Sequence, residues 1–199
     1  KRVEMRIPLQ PPECTAFLGV DSISVFRADE CEAILDMVGG GQWGHARVSE
    51  SDNAYGAVKP EVRSVVSQPL PLRADGWPMT SIVKSIQEAN ARLWRYELWG
   101  FGRSDYPSIL RYEGEVQDHF RSHIDAGEFA ASRKLSFSLQ LSDPSTYLGG
   151  DLVISGQNVT GSREQGSLTV FSSMSSHEVT PVYSGRRHAV VGWVHGPTF

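Results

Sequence analysis

Residues 167–194 read SLTVFSSMSSHEVTPVYSGRRHAVVGWV. The runs SLTVFS, HEVTPVY and RRHAVVGWV are short and rich in β-branched and aromatic residues, with Ser, Pro and Gly between them. Each reads as a strand. Similar runs extend back to about residue 96: YELWGFG, SILRYE, KLSFSLQLS and DLVIS, with LGGD and SREQGS as turns. Seven or eight short strands at turn spacing predict a β-sandwich or barrel.

Upstream the period changes. ADECEAILDMVGGG carries Cys31, Ile34, Leu35 and Val38 at helix spacing, with acids early and glycines at its end. PMTSIVKSIQEANARLW places Ile82, Ile86, Ala89 and Leu93 on one face, with Thr80 or Ser81 as caps after Pro78. A polar stretch lies between them, followed by a short helical piece at PEVRSVV. Helices first and strands afterwards give an α+β, mainly β chain with helices packed on a sheet. The expectation is one domain over 1–199, with 1–95 as helical support and substrate wall and 96–199 as the β core.

The 199 residues suffice for one domain with a sizeable core, and 40% hydrophobic with 21% charged is ordinary for a globular protein. A net charge of -4 argues against nucleic acid or an anionic membrane as partner, since either favours a basic face. No apolar run approaches a membrane span. Cys14 and Cys31 are too few for a disulfide framework or a cysteine-rich zinc site, and a reduced, cytoplasmic setting is expected. The opening KRVEMRIPLQPPEC lacks the order of a signal peptide, and with no initiating Met, upstream sequence is expected. NVT at Asn158 is read as a chance match to a glycosylation acceptor.

The chemistry gathers in DHFRSHIDAG, residues 118–127. His123 and Asp125 fall where a strand is expected, and strand residues two apart share a face. An imidazole and a carboxylate converging on one point are two-thirds of a 2-His-1-carboxylate iron site. The third ligand should be a distant histidine, and His177 is the candidate. The plainer readings are a histidine–carboxylate hydrogen bond and a surface His177. His119 is a rival ligand, but HFRSH lacks the glutamate of a helical zinc-protease site.

The order His-x-Asp, a distant His, then G-x-R and a Trp-ending strand resembles the 2-oxoglutarate- and Fe(II)-dependent dioxygenases, in their prolyl-4-hydroxylase-like branch. YPSILRYEGEVQDHFRSHIDAG, RKLSFSLQLSDPSTYLGGDLVI and GSLTVFSSMSSHEVTPVYSGRRHAVVGW carry the resemblance, about half the chain. It implies a double-stranded β-helix, or jelly roll, with His123, Asp125 and His177 as iron ligands and Arg187 as the grip on the cosubstrate's distal carboxylate. It implies Fe(II), 2-oxoglutarate and O2 as cofactors, with ascorbate supporting activity. The reaction implied is hydroxylation of an aliphatic C–H bond in an amino acid, peptidyl residue or natural-product intermediate, with release of succinate and CO2. Related halogenases have a small residue where Asp125 stands, so hydroxylation is favoured. A nucleic-acid demethylase is disfavoured, because that branch has a second arginine where this chain has Trp193.

Arg186 competes with Arg187, and adjacent strand residues face opposite ways. Arg187 inward takes Ala189, Val191 and Trp193 with it and leaves Arg186 and His188 outside, the cheaper burial pattern. Several branches place a hydroxyl where Ala189 stands, so Tyr112 is expected to share the carboxylate instead; its alternative is a core tyrosine. Arg63 and Arg103 are suggested as grips for an acidic substrate group, within or near a substrate wall at about 41–78. Trp43 and Trp77 are suggested as pocket flanks. His45, His188 and His195 are read as structural or surface, and Glu113, Glu115 and Asp118 as a solvated loop. Two other classes stay open: a zinc hydrolase on the same ligands, for which Glu178 is the nearest acid but faces away, and a non-catalytic binding module.

Overall fold

The computed structural model describes residues 18–50, 53–102, 105–127 and 130–198. Elements run in the order β1 (Val20–Ser24), α1 (Ala28–Asp36), β2 (Gly44–His45), β3 (Val48–Glu50), β4 (Asn53–Ala57), β5 (Arg63–Ser64), β6 (Val66–Pro69) and α2 (Met79–Leu93). Then come β7 (Ser108–Glu113), β8 (His119–His123), β9 (Arg133–Gln140), β10 (Tyr147–Gly149) and β11 (Leu152–Ile154). The last four are β12 (Val159–Thr160), β13 (Ser167–Ser172), β14 (His177–Val179) and β15 (Val182–His195).

The larger sheet has the order β1-β13-β9-β15-β7-β6-β2, with β10 also on β15; the smaller is β12-β11-β14-β8-β5. Pairing is antiparallel in both. Two facing antiparallel sheets with helices on the outside of one make the jelly roll expected from the sequence. Among the described residues, no helix is long and apolar enough to cross a membrane.

The larger sheet separates two cores. On its helix side, Cys31 and Ile34 of α1 and Ile82, Ile86 and Ala89 of α2 pack with Leu135, Phe137 and Leu139 of β9 and Val190 of β15. Between the sheets, Leu110, Tyr112, Phe171, Ile154 and Val182 form the second. The alternation in β9 is decisive. Its apolar residues face the helices, and the intervening Ser136, Ser138 and Gln140 face the space between the sheets. That interior is polar at one end because the strand sequence puts hydroxyls and an amide there.

The chain departs from the sequence reading in four places. PEVRSVV is not helical: Arg63 and Ser64 form β5 and Val66 opens β6, which pair with β8 and β7. Propensity alone does not see those partners, and β-branched residues take a strand when one is offered. The 1–95 region therefore supplies strands as well as helices, including β1 on the sheet edge against β13. YELWGFG contributes an isolated bridge, Gly100 to His195, rather than a strand. Finally, α2 has Pro78 as its N-cap residue and no side-chain cap hydrogen bond, so neither Thr80 nor Ser81 caps it.

Candidate metal centre

His123 ends β8, Asp125 lies just past it, and His177 opens β14. In the smaller sheet His177 pairs directly with His123, whereas Val179 pairs with Phe120. That register shift puts an extra residue into β8, a bulge. Phe120 and His123 both turn toward the site despite their odd spacing, and their rings stack at 3.6 Å. Asp125 is held by its backbone N–H donating to the Ser173 carbonyl at 3.2 Å.

Ligand atoms of the three side chains lie within 4.8 Å of one another. Asp125 Oδ1 is 3.5 Å from His123 Nε2, and Oδ2 is 3.3 Å from His177 Nε2. Donors about 2.1 Å from a shared ion would stand roughly 3 Å apart in adjacent positions, so the set is sized for one metal. The tautomers suit it too. His123 Nδ1–H donates to the Arg121 carbonyl at 2.8 Å and His177 Nδ1–H to the Ser175 carbonyl at 3.0 Å. Both Nε2 atoms are thereby aimed inward. Ser136 Oγ donates to Asp125 Oδ2 at 2.7 Å and contacts Ser173 Oγ at 2.9 Å.

Electrostatics agree with the geometry. Burial pushes the Asp125 carboxyl up, but the charge of His177 and hydrogen bonds from both imidazoles hold it well below the usual range. Burial pulls the His177 imidazole down, while the charge and hydrogen bond of Asp125 lift it above its ordinary value. Without metal, His177 and Asp125 thus share a proton that an ion would displace.

Arg187 and Tyr112 face each other across β15 and β7. They are 4% and 1% exposed, with the guanidinium 5.2 Å from the Tyr112 ring centroid. Burial pushes the Tyr112 phenol up against the pull of Arg187 and Arg63, so it stays a neutral donor. A narrow cavity of ≈ 40 Å³ runs between the sheets and is lined by Arg187 and Tyr112 as well as His123, Asp125 and His177. A cation and a hydroxyl lining the same cavity as three metal-type donors suit a molecule with a carboxylate tail and a chelating head. Arg186 instead turns outward to Glu113 at 2.8 Å.

Other candidates fall elsewhere. His119 and Glu178 line a separate surface pocket. Trp43 and Trp77 pack against the helix-side core, not the cavity; Trp193 is the tryptophan that lines it. Arg103 lies outside the described residues. Asp118 is not solvated: it is 5% exposed, accepts from Ser64 Oγ and the Glu113 N–H, and ties β5 to the turn after β7. Sequence reading passed over Ser136, although the alternating hydroxyls of KLSFSLQLS were a signal for a polar strand face.

Residues 107–195 match the sequence profile of the 2OG-Fe(II) oxygenase superfamily. A PKHD-type hydroxylase of Synechococcus elongatus is 40% identical over 129 residues, 58% of this chain and 56% of that protein. One from Shewanella sp. strain ANA-3 is 40% identical over 99 residues, 45% and 42% respectively. The chain thus spans about half the length of these curated relatives. Among solved structures, a Pseudomonas putida prolyl-4-hydroxylase superposes with TM-score 0.67 at 21% identity, covering 90% of this chain and 94% of that one. A Trichoplax adhaerens prolyl hydroxylase, bound to a hypoxia inducible factor peptide fragment, gives 0.69 at 18%, covering 89% and 83%. Fe(II), 2-oxoglutarate and O2 are the cofactors of this superfamily. Residues 107–195 thus resemble the 2OG-Fe(II) oxygenases, and the likenesses in sequence and fold point to their prolyl-4-hydroxylase-like members.

Proposed function

We propose that the chain is an Fe(II)- and 2-oxoglutarate-dependent hydroxylase acting on an aliphatic C–H bond of an amino acid, peptidyl residue or natural-product intermediate. The observation that carries this is one cavity lined both by His123, Asp125 and His177, whose ligand atoms converge, and by Arg187 with Tyr112. His123, Asp125 and His177 would hold Fe(II). With Fe(II) bound, the site would supply oxidative decarboxylation of 2-oxoglutarate by O2, giving succinate, CO2 and a hydroxylated substrate. Arg187 pairs with the cosubstrate's distal carboxylate, and Tyr112 donates beside it. The apolar Phe120, Phe171, Leu152 and Val179 around the ligands exclude water.

The substrate meets the metal from an open cleft of ≈ 440 Å³ lined by Val48, Val62 and Trp193 among others, so residues of the 41–78 region form part of its wall. A small molecule or peptidyl residue fits it, and no nucleic-acid partner is proposed. A reduced, cytoplasmic setting suits Fe(II) and the free, buried Cys31. A zinc hydrolase would need a base at the metal-bound water, and Glu178 lines another pocket.

The test is succinate release from 2-oxoglutarate by protein supplied with Fe(II), ascorbate and O2. Turnover is expected, and His177→Ala and Asp125→Ala should each abolish it. Absence of turnover with every amino acid and peptide screened, or its survival in both variants, would contradict the reading.

A further inference from the structure

The cleft facing the metal centre is lined by four cations, Arg47, Lys59, Arg63 and Arg133, and among the described lining residues by one carboxylate, Asp125. In a chain of net charge -4 this is a local concentration of one sign. Arg133 is already answered: Asp105 grips it twice at 2.8 Å, and it covers the Trp193 ring at 3.9 Å. Arg63 is not. One of its terminal nitrogens donates to the Arg47 carbonyl at 3.1 Å, and its guanidinium lies 4.5 Å over the Phe120 ring, which in turn stacks on His123. Its Nε is buried with no hydrogen-bond partner.

The negative groups acting on Arg63 are the Tyr112 phenol and Asp125. Tyr112 stays neutral, and Asp125 is the carboxylate a bound divalent ion would claim. Metal loading therefore leaves the single charge of Asp125 to balance both a desolvated guanidinium and a doubly charged cation, a costly arrangement unless an anion joins it. Strand β5 holds the side chain by pairing Arg63 with Phe120, and Ser64 is anchored to Asp118. The cation is fixed in place rather than free to swing into solvent.

We propose that Arg63 is a carboxylate-binding residue at the metal face, completing the charge balance once iron is bound. This rests on the hydroxylase reading above. Arg63 lines both the inner cavity and the open cleft. The carboxylate is therefore either the metal-chelating end of 2-oxoglutarate or an acidic group of the substrate, and the chemistry of the grip is the same.

Two arms separate these sources. In the first, Fe(II)-loaded protein is titrated without O2 against 2-oxoglutarate and against pyruvate, which lacks the distal carboxylate, reading the visible charge-transfer band of the chelate. If Arg63 holds the cosubstrate, Arg63→Gln raises both dissociation constants by a similar factor of tenfold or more, and Arg63→Lys recovers part of the loss. In the second, amino acids and N-acetyl amino acids are compared with their primary amides for stimulation of succinate release. If Arg63 holds the substrate, acids outperform amides in the natural protein, Arg63→Gln erases that preference, and keto-acid affinity stays within twofold. The proposal is overturned if keto-acid affinity is unchanged and the acid preference is either absent from the natural protein or survives in Arg63→Gln. A natural protein that forms no chelate band strikes the metal-site reading itself, and this inference with it.

Discussion

At the scale of single residues, the centre is a contest between a proton and a metal. His177 keeps its proton above its ordinary range because Asp125 accepts from it, and the same nitrogen must be bare to bind an ion. Affinity for Co(II), an air-stable stand-in for Fe(II), should therefore fall as pH drops through the His177 titration, approaching tenfold per pH unit below it. A flat profile between pH 6 and 8 would count against the ligand role. Ser136 fixes which Asp125 oxygen is free, so Ser136→Ala should weaken Co(II) binding about 10–100-fold. Removing Arg187 should instead leave metal binding intact and cost about 2–5 kcal/mol of 2-oxoglutarate affinity, measured by calorimetry. The inward direction of Arg187 was legible in sequence because two-residue alternation dictates it, whereas Asp125 lies past the end of β8 and is placed by its turn. The role of Asp118 was not legible, because it comes from β5, a two-residue strand whose partner is far along the chain; Arg63 was suggested as a grip for an acidic group, but its place beside Phe120 also needs that pairing.

At the scale of elements, the glycines of YLGGDLVI explain why that turn has its composition. Gly149 and Gly150 have φ of +79° and +68°, and a Cβ on Gly150 would stand 2.9 Å from Arg187 Cδ and from Val182 Cγ2. Gly150→Ala should lower stability by about 1–3 kcal/mol in urea unfolding and weaken 2-oxoglutarate as Arg187 shifts. Helix α2 is supporting structure by comparison. Ile86→Ala, at a 2% exposed position on the helix-side core, should cost about 2–5 kcal/mol of stability with unchanged Co(II) affinity. Long periodic or alternating runs such as α2, β7 and β13 could be read from sequence, since each carries its own pattern. β2 to β6 could not: they are short, polar in places, and ordered by their partners, β5 by β8, β6 by β7, β2 by β6, and β3 and β4 by each other. The bulge in β8 was equally hidden, because it needs the register of β14 to exist.

At the scale of the whole molecule, stability should depend on pH through His188. Burial, with the nearby Arg186 and Arg111, pushes its pKa from 6.5 down to about 4. Between those values the unfolded chain takes up a proton that the folded chain refuses, so the contribution is complete above about 6.5 and lost as pH falls toward 4. The slope is at most about 1.4 kcal/mol per pH unit. His188→Gln should flatten this part of the profile in denaturant unfolding, and an unchanged slope would contradict it. The central claim concerns the fold as a device that brings His123, Asp125 and His177 from separate segments to one ion. Calorimetric titration of metal-free protein with Co(II) tests it most directly, in the natural chain and in Asp125→Ala. One ion per chain, with affinity reduced at least a hundredfold in the variant, is the predicted result. Equal binding by both proteins, or binding by neither, would contradict it.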